Sequence, residues 1–266
     1  MNYQKIKVSR DGAVAVITLA DPSTMNAASS ELAMELTDAI KDAASGKTPA
    51  RALVLTGEGR GFCSGANLQS GPNESKPEAD GKPDIGSHLE VVFNPLVTYL
   101  REMPVPLVTA VNGAAAGIGC SFALLGDLIV AAESAFFLQA FCRIGLVPDG
   151  GSTYLLPRSI GKARATEMML LGERISAATA LEWGLINRLV PDADLMPTAM
   201  KLAQALAKGP ASQGLIRQNL WASMDSDWHT QLHRERIAQR AAGKTEDFVE
   251  GVAAFLGKRP AAFVGR

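Results

Sequence analysis

Residues 13–56 begin with AVAVITLA at 13–20 and end with ALVLT at 52–56, and this stretch decides the fold class. Both ends are short apolar runs rich in β-branched residues and bounded by turn residues, which is typical of strands. Between them, residues 30–44 carry apolar side chains at helical spacing, with Ser29 and Ser30 as candidate N-caps. The stretch therefore predicts a strand, a helix and a second strand.

The same unit recurs further along the chain. Residues 107–111 (LVTAV) follow a helical pattern at 88–101, and residues 128–132 (LIVAA) follow another at 118–125. This repetition predicts a mixed α/β fold in which helices cover a largely parallel sheet. From residue 162 onward the strand signals fade and helical patterns dominate. The helices predicted there are 163–171, 177–183, 195–207, 211–223, 227–241 and 246–256.

Composition excludes several classes of partner. The chain has 266 residues, with 26 Lys and Arg against 27 Asp and Glu, a net charge of -1 and 47% hydrophobic residues. A chain of this length buries a sizeable core. Because its charge is near neutral, no long-range field favours nucleic acid or an anionic membrane. We therefore expect a globular protein with neither nucleic-acid nor membrane partners.

The cysteines and the apolar runs bound the compartment. The three cysteines form no C-x-x-C pair, which argues against a zinc site and against a disulfide framework. Residues 1–10 lack the apolar segment of a signal peptide, and the apolar runs at 113–125 and 128–132 are too broken for a membrane span. These patterns predict a cytoplasmic protein without a bound metal.

Two glycine-bearing segments follow predicted strands, at residues 57–68 (GEGRGFCSGANL) and 112–119 (NGAAAGIG). Where a strand leads into a helix N-terminus, unpaired backbone N–H groups are available to hold an anionic oxygen. Taken alone, each segment is more typical of ordinary turn chemistry. Neither matches a P-loop, and the G-x-G pieces lack the dinucleotide-binding spacing.

The whole pattern resembles the crotonase superfamily, the enoyl-CoA hydratases and isomerases. The resemblance is carried by DPSTMNA (21–27), GRGFCSGANL (59–68), NGAAAGIG (112–119), IGLVPDGGSTYLLPR (144–158), ISAATALEWGLINRLVP (175–191) and AFLGKRPAAF (254–263). It implies a crotonase-like α/β spiral of ββα units at residues 1–195, closed by a C-terminal helical region at 196–266 that builds a homotrimer or homohexamer. Residues 137–158 are most similar to isomerases of the phenylacetate pathway, which act on ring-epoxidised phenylacetyl-CoA.

The resemblance also implies a site. Ala66 and Ile118 would supply two backbone amides that polarise the thioester carbonyl of an acyl-CoA, and two fixed donors stabilise an enolate oxygen by several kcal/mol. No separate cofactor is expected, since CoA is part of the substrate. Phe255 and Lys258 also fit a solvated basic chain end, and Asn67 replaces an Asp common in the family. The implied CoA-binding residues are Ser23, Met25, Ala27, Gly65, Ala66, Asn67, Leu68, Gly117, Phe255 and Lys258.

The departures from the family pattern bear on the reaction. Hydratases of the superfamily use two glutamates where this chain has Ser121 and Phe141. Neither side chain exchanges a proton at neutral pH, which argues against efficient hydration. Asp149 stands where isomerases carry an acidic residue and is the candidate acid/base, although an Asp before Gly-Gly is also typical of a turn. Apolar neighbours within residues 141–147 are expected to raise its pKa.

The sequence thus predicts an acyl-CoA isomerase that works through a stabilised thioester enolate. Enoyl-CoA hydratase is the rival enzyme, and a non-catalytic acyl-CoA- or RNA-binding scaffold is the rival of another class, with RNA disfavoured by the neutral charge. Residues 69–87, rich in proline and charge, fit either a lid edge or a solvated loop. Asp127 is expected to make a buried structural hydrogen bond, and the three histidines are not expected to bind metal.

Overall fold

The computed structural model describes residues 3–67, 80–82 and 84–266. Within these residues the strands form two sheets. The large sheet has the order β1-β2-β3-β5-β7-β10, and the small sheet has the order β4-β6-β8-β9. The strands are β1 (Ile6–Asp11), β2 (Val14–Leu19), β3 (Ala52–Gly57), β4 (Gly61–Cys63), β5 (Leu107–Val111), β6 (Ala114–Ala116), β7 (Leu128–Ala132), β8 (Phe136–Leu138), β9 (Ile175–Ser176) and β10 (Arg188–Val190).

Nine α-helices are assigned in the described part of the chain, and a short π-helical turn at Leu89–Phe93 leads into the second of them. Single 3-10 turns also occur, one of them at Ala140–Ile144. The helices are α1 (Ser30–Ser45), α2 (Asn94–Glu102), α3 (Ile118–Leu124), α4 (Ser152–Leu171), α5 (Ala177–Glu182), α6 (Leu195–Ala207), α7 (Ser212–Ser223), α8 (Trp228–Ala242) and α9 (Glu246–Leu256).

The chain winds as a spiral that visits both sheets in turn. β3, β4 and α2 form one turn, β5, β6 and α3 the next, and β7, β8 and α4 the one after. In the large sheet every neighbouring pair from β2 to β10 is parallel, and only β1 is antiparallel to its neighbour. β3 and β5 are almost wholly buried, as expected of parallel strands covered on both faces. The predicted α/β spiral of ββα units is confirmed.

Two helices pack against the large sheet. The first helix, α1, buries Leu32, Leu36 and Ile40 along one face, and the Ser29 hydroxyl accepts a hydrogen bond from the backbone N–H of Leu32. This is the predicted N-cap. The sixth helix, α6, packs against β3, β5 and β7. Because α6 begins at Leu195, the boundary drawn between residues 195 and 196 falls at its first turn, and this boundary stays a prediction.

Two local predictions were wrong. Strand structure does not end before residue 162, because β9 extends the small sheet and β10 extends the large one. Both are too short for a periodic pattern to reveal. In addition, α4 begins well before the predicted residue 163. Its sequence contains Pro157, and the backbone of Gly161 is non-helical (φ 79°, ψ 158°), so two helical segments meet at a kink that obscures the periodicity.

Most of segment 69–87 lies outside the described residues, so both interpretations of it stay predictions. Among the helices that the structure describes, none combines the length and apolar character needed to cross a bilayer.

Candidate active site

The two glycine-bearing segments meet at one edge of the small sheet. β4 and β6 are parallel neighbours, so the turns that follow them lie side by side. A Cβ atom placed on Gly117 would lie 3.6 Å from the Cα of Gly65. Gly65 itself has a φ of 102°, and a Cβ there would lie 3.1 Å from the carbonyl oxygen of Ala116. Only glycine allows this backbone conformation together with so close an approach.

Each of these turns presents a backbone N–H group. The Ala28 N–H donates to the Gly65 carbonyl (2.8 Å), and the Asn67 N–H donates to the Ala28 carbonyl (3.2 Å). Because peptide groups alternate along a strand, the N–H of Ala66 faces away from Ala28. Ile118 is the first residue of α3, where N–H groups have no intrahelical acceptor. No backbone carbonyl within the described residues accepts from either N–H.

Two asparagines, which sequence reasoning missed, hold the β3–β4 connection that precedes Gly65. Asn26 is fully buried, and its Nδ2 donates to the carbonyl of Gly61 (2.7 Å). Asn112 accepts a hydrogen bond from the N–H of Gly57 through its Oδ1 (3.2 Å). Asn26 also has a φ of 57°, a conformation that asparagine tolerates better than most residues. An Asn in a turn was therefore the available signal.

The predicted CoA-binding residues fall into two groups. Ser23, Met25 and Ala27 lie on the connection after β2, beside the turn that carries Gly65. The Ser64 N–H donates to the carbonyl of Met25 (3.0 Å), and the Ser64 hydroxyl donates to the carbonyl of Thr24 (2.9 Å). The structure therefore brings residues 23–27, 65–67 and 117 together.

The second group consists of Phe255 and Lys258. They lie at the C-terminal end of α9, and the side chain of Phe255 is 83% exposed. Their assignment to CoA binding stays a prediction. Leu68 lies outside the described residues.

Asp149 lies directly before the two glycines that lead into α4. Its carboxylate Oδ1 is buried and has no hydrogen-bond partner in the part of the chain that the structure describes. Burial raises the pKa of Asp149 to about 6, although a hydrogen bond from its own backbone N–H lowers the pKa in part. The predicted direction of the shift is confirmed.

The proposed cause of that burial was wrong in part. Ile144 and Val147 are 52% and 80% exposed, so they do not enclose the carboxyl group. Instead, the turn packs on α3. A Cβ placed on Gly150 would lie 2.8 Å from the Cβ of Ser121 and 3.1 Å from the Cγ1 of Ile118. Gly150, which follows Asp149 in the chain, therefore lies against Ile118, the residue that supplies the second N–H group.

The two positions at which the resemblance would place glutamates hold no titratable group. Ser121 is fully buried, and its hydroxyl forms hydrogen bonds with the carbonyl of Asp149 (3.1 Å) and the hydroxyl of Ser152 (2.7 Å). Phe141 is 8% exposed, and its ring lies 3.5 Å from where a Cβ on Gly117 would be. Neither position can activate a water molecule by accepting its proton.

Asp127 differs from Asp149 in being fully engaged. Its Oδ2 accepts from the N–H of Leu107 (2.8 Å) and from Nε of Arg217 (2.6 Å), and Nε1 of Trp221 donates to its Oδ1 (3.3 Å). The structural role predicted for Asp127 is confirmed. His88 is hydrogen-bonded to Ser30 (2.9 Å). Among the described side chains, no group of three or more His, Cys, Asp and Glu could hold a metal ion.

The arrangement combines two kinds of group. Two unengaged N–H donors on adjacent turns can hold an oxygen that becomes negative during a reaction. A carboxyl group with a pKa of about 6 can both accept and return a proton near neutral pH. Together they are suited to proton transfer next to a carbonyl group.

Comparisons with known proteins agree with this geometry. The family described as enoyl-CoA hydratase/isomerase matches residues 9–266. The chain is 44% identical to the 1,2-epoxyphenylacetyl-CoA isomerase of Escherichia coli K12, with 95% of each chain covered. It is 35% identical to the 2,3-dehydroadipyl-CoA hydratase of the same strain, covering 97% and 98%. A crystal structure of an enoyl-CoA hydratase from Bacillus anthracis superimposes with a TM-score of 0.89 at 30% identity, covering 99% of this chain and 100% of the other.

Proposed function

Because the chain belongs to the enoyl-CoA hydratase/isomerase family, we propose that it is an acyl-CoA isomerase that moves a double bond through a thioester enolate. The Asp149 carboxylate removes a proton from C2 of a β,γ-enoyl-CoA. The electron pair moves onto the thioester oxygen, where the N–H groups of Ala66 and Ile118 donate to the developing charge. The protonated Asp149 then returns the proton to C4 as the enolate collapses, and the double bond lies between C2 and C3.

One observation carries this proposal: Oδ1 of the Asp149 carboxyl is buried and has no hydrogen-bond partner among the described residues. A structural carboxylate is held by donors, whereas a proton shuttle needs a free oxygen that faces the substrate. Burial supports the same role, since a pKa of about 6 makes the acid and base forms similarly accessible near neutral pH. One carboxyl group is sufficient, because the same proton leaves C2 and arrives at C4.

Hydration is the second candidate, favoured by the 35% identity to a relative described as a 2,3-dehydroadipyl-CoA hydratase. Adding water across a double bond needs a group that orients or deprotonates the water. The Ser121 hydroxyl is engaged with Asp149 and Ser152, and Phe141 offers only a phenyl ring. These contacts support isomerisation over hydration.

We also propose the chemical class of the acyl group. A relative at 44% identity is described as a 1,2-epoxyphenylacetyl-CoA isomerase, which supports an aromatic or ring-epoxide acyl group.

The last helix, α9, exposes five large apolar side chains, which supports assembly into a homotrimer or homohexamer. They are Phe248, Val249, Val252, Phe255 and Leu256. Light scattering of the purified protein would measure the assembly.

The test compares two substrates. Purified protein is incubated with a β,γ-enoyl-CoA and, separately, with crotonyl-CoA, and the products are identified by chromatography. We expect conversion of the β,γ-isomer to the α,β-isomer and slow hydration of crotonyl-CoA. Asp149→Ala should lose the isomerisation, whereas the exposed Asp194→Ala should keep it.

Two outcomes would contradict the proposal. Fast hydration of crotonyl-CoA that Asp149→Ala leaves unchanged would assign a hydratase. Tight binding of acyl-CoA with no exchange of the α-proton in deuterated water would indicate a non-catalytic scaffold.

A further inference from the structure

The side chain of Asp149 does not fix its own orientation. Its Oδ1 has no partner among the described residues, and the hydrogen bond that lowers its pKa comes from its own backbone N–H. The next two residues, Gly150 and Gly151, have φ values of 59° and 84°. A turn with two successive left-handed residues is held in place by hydrogen bonds elsewhere on its backbone. The orientation of the carboxyl therefore depends on what anchors this backbone.

Two donors converge on the carbonyl group of Asp149. The N–H of Ser152 donates to it over 3.0 Å, and the hydroxyl of Ser121 lies 3.1 Å away. Ser121 lies on α3 and Ser152 is the first residue of α4, so the turn is attached to two helices at once. Both side chains are fully buried.

A third buried side chain, that of Gln139, extends these hydrogen bonds. Nε2 of Gln139, which can only donate, lies 2.9 Å from the hydroxyl oxygen of Ser152. The carbonyl of Asp149 can only accept, so it takes the single hydroxyl hydrogen of Ser121. In the 2.7 Å contact between the two serines, Ser152 is therefore the donor and Ser121 the acceptor. The three side chains form one directed chain, Gln139 to Ser152 to Ser121 to Asp149.

We propose that Gln139, Ser152 and Ser121 form a positioning relay that holds the Asp149 backbone so that its carboxyl faces the substrate. The inference rests on the proposed function and adds three positioning residues to it. None of the three needs to touch the substrate. Hydrogen bonds in series strengthen one another and restrict motion, so the relay replaces the side-chain hydrogen bonds that a proton shuttle has to lack.

The surroundings of Gly150 support the same role. A Cβ at this position would lie 2.8 Å from the Cβ of Ser121 and 2.9 Å from its hydroxyl oxygen. The turn is thus pressed against the relay, with no room for a side chain between them. No charged side chain of the described residues contributes to the pKa of Asp149, so its titration reports burial and backbone geometry.

The test compares two buried hydroxyl groups that contact α3, one carried by α3 itself (Ser121) and one carried by β5 (Thr109). Ser121→Ala removes the last link of the relay. Thr109→Val removes a fully buried hydroxyl that donates to the carbonyl of Ala123, also on α3, over 2.8 Å. For Ser121→Ala we expect a 10- to 100-fold fall in kcat for a β,γ-enoyl-CoA, with KM within about twofold of the wild type. The acid limb of the kcat profile should move to lower pH, because a less firmly held Asp149 carboxyl is better hydrated. Thr109→Val should keep wild-type kcat and the wild-type acid limb.

A second variant tests whether the relay is a single path. Ser152→Ala interrupts it one link earlier, and it carries the test if Ser121→Ala does not fold. If the three side chains act as one path, interrupting the path at a second link adds nothing. The kcat of the double variant should therefore be within about twofold of the lower of the two single-variant values. Single losses that multiply in the double variant would overturn the relay, as would a Thr109→Val that behaves like Ser121→Ala.

Asp149→Asn separates the two inferences. If Asp149→Asn keeps wild-type kcat, the proposed function itself is wrong. If Asp149→Asn is inactive while Ser121→Ala and Ser152→Ala keep the wild-type kcat and acid limb, the function stands and the relay is wrong.

Discussion

Two aspartates with buried carboxyl oxygens show opposite behaviour. Asp149, at the turn before α4, has an Oδ1 without a described partner, and burial raises its pKa to about 6. Asp247, on α9, is 2% exposed, and burial by itself would raise its pKa. Hydrogen bonds from the N–H groups of Val264, Ala211 and Gly265 outweigh the effect of burial, so the pKa of Asp247 lies below its usual value.

The difference shows that burial alone does not decide what a carboxylate does. At Asp247 the donors stabilise the charged form and tie the C-terminal residues to α9, so the group is structural. At Asp149 the donors bind the backbone carbonyl, and Oδ1 of the carboxyl has no partner within residues 3–67, 80–82 and 84–266. Burial of the Asp149 carboxyl lowers the stability of the folded protein, whereas the hydrogen bonds to Asp247 raise it.

The largest expected effect is on turnover. Asp149→Asn should lower kcat for a β,γ-enoyl-CoA by about 10²- to 10⁴-fold, since an amide cannot carry the proton. Asp247→Asn should keep kcat within about twofold once it is folded. Steady-state rates of both variants at one pH check the pair. If folded Asp247→Asn protein were inactive, the purely structural role assigned to Asp247 would be wrong.

The pH dependence of turnover should be the next largest effect. The base form of Asp149 removes the proton, so kcat should rise tenfold per pH unit at acid pH and level off above a midpoint near 6. The measurement is a kcat profile between pH 4.5 and about 8 at saturating substrate. A midpoint near the ordinary aspartate value of 3.8 would mean that Asp149 is hydrated in the complex.

Stability should depend on Asp247. Asp247→Asn leaves backbone N–H groups at residues 211, 264 and 265 without their charged acceptor, and we expect a loss of about 2 kcal/mol in the free energy of unfolding. Urea denaturation followed by circular dichroism measures it. The exposed Asp194→Asn is the matched control, with an expected change within about 0.5 kcal/mol.

The last expected effect is a pH-dependent change in stability of opposite sign at the two positions. The raised pKa of Asp149 means that its contribution to stability is complete below 3.8 and lost as pH rises through about 6. Because each pKa unit corresponds to about 1.4 kcal/mol, Asp149→Asn should gain about 2 kcal/mol over the wild type between pH 4 and pH 8. For Asp247, whose pKa is lowered, the contribution is present above 3.8 and lost as pH falls through the folded-state pKa, so the deficit of Asp247→Asn should shrink in acid. Parallel shifts in the two variants would refute this assignment.

Much of the fold followed from the sequence because its main elements have strong local patterns. The strands at 107–111 and 128–132 and the helix at 195–207 were predicted with the bounds that the structure has. The small sheet had no such signal, since β4, β6 and β8 have three residues each, and β4 and β6 lie within or beside glycine-rich turns. Their strand character comes from pairing with one another, which is a tertiary effect.

The site was predictable where the family pattern names a residue and not where packing creates a role. Asp149, Ala66 and Ile118 were reached from the resemblance, and their roles in the reaction stay predictions. Gln139 and Ser152 had no signal, because an ordinary polar residue acquires its meaning only from neighbours far away in the chain. Asn26 showed only the general preference of asparagine for turns.

In the proposed mechanism both oxyanion donors belong to the main chain, and this has a consequence for evolution. A substitution at position 66 or 118 changes the shape of the acyl cavity but cannot delete an N–H group, unless the new residue is proline. Descendants of such a scaffold can therefore exchange substrates by point mutation while the electrophilic half of the chemistry is inherited intact. Libraries directed at these two positions, with Gly65 and Gly117 kept, are expected to yield altered acyl preference more often than inactive protein.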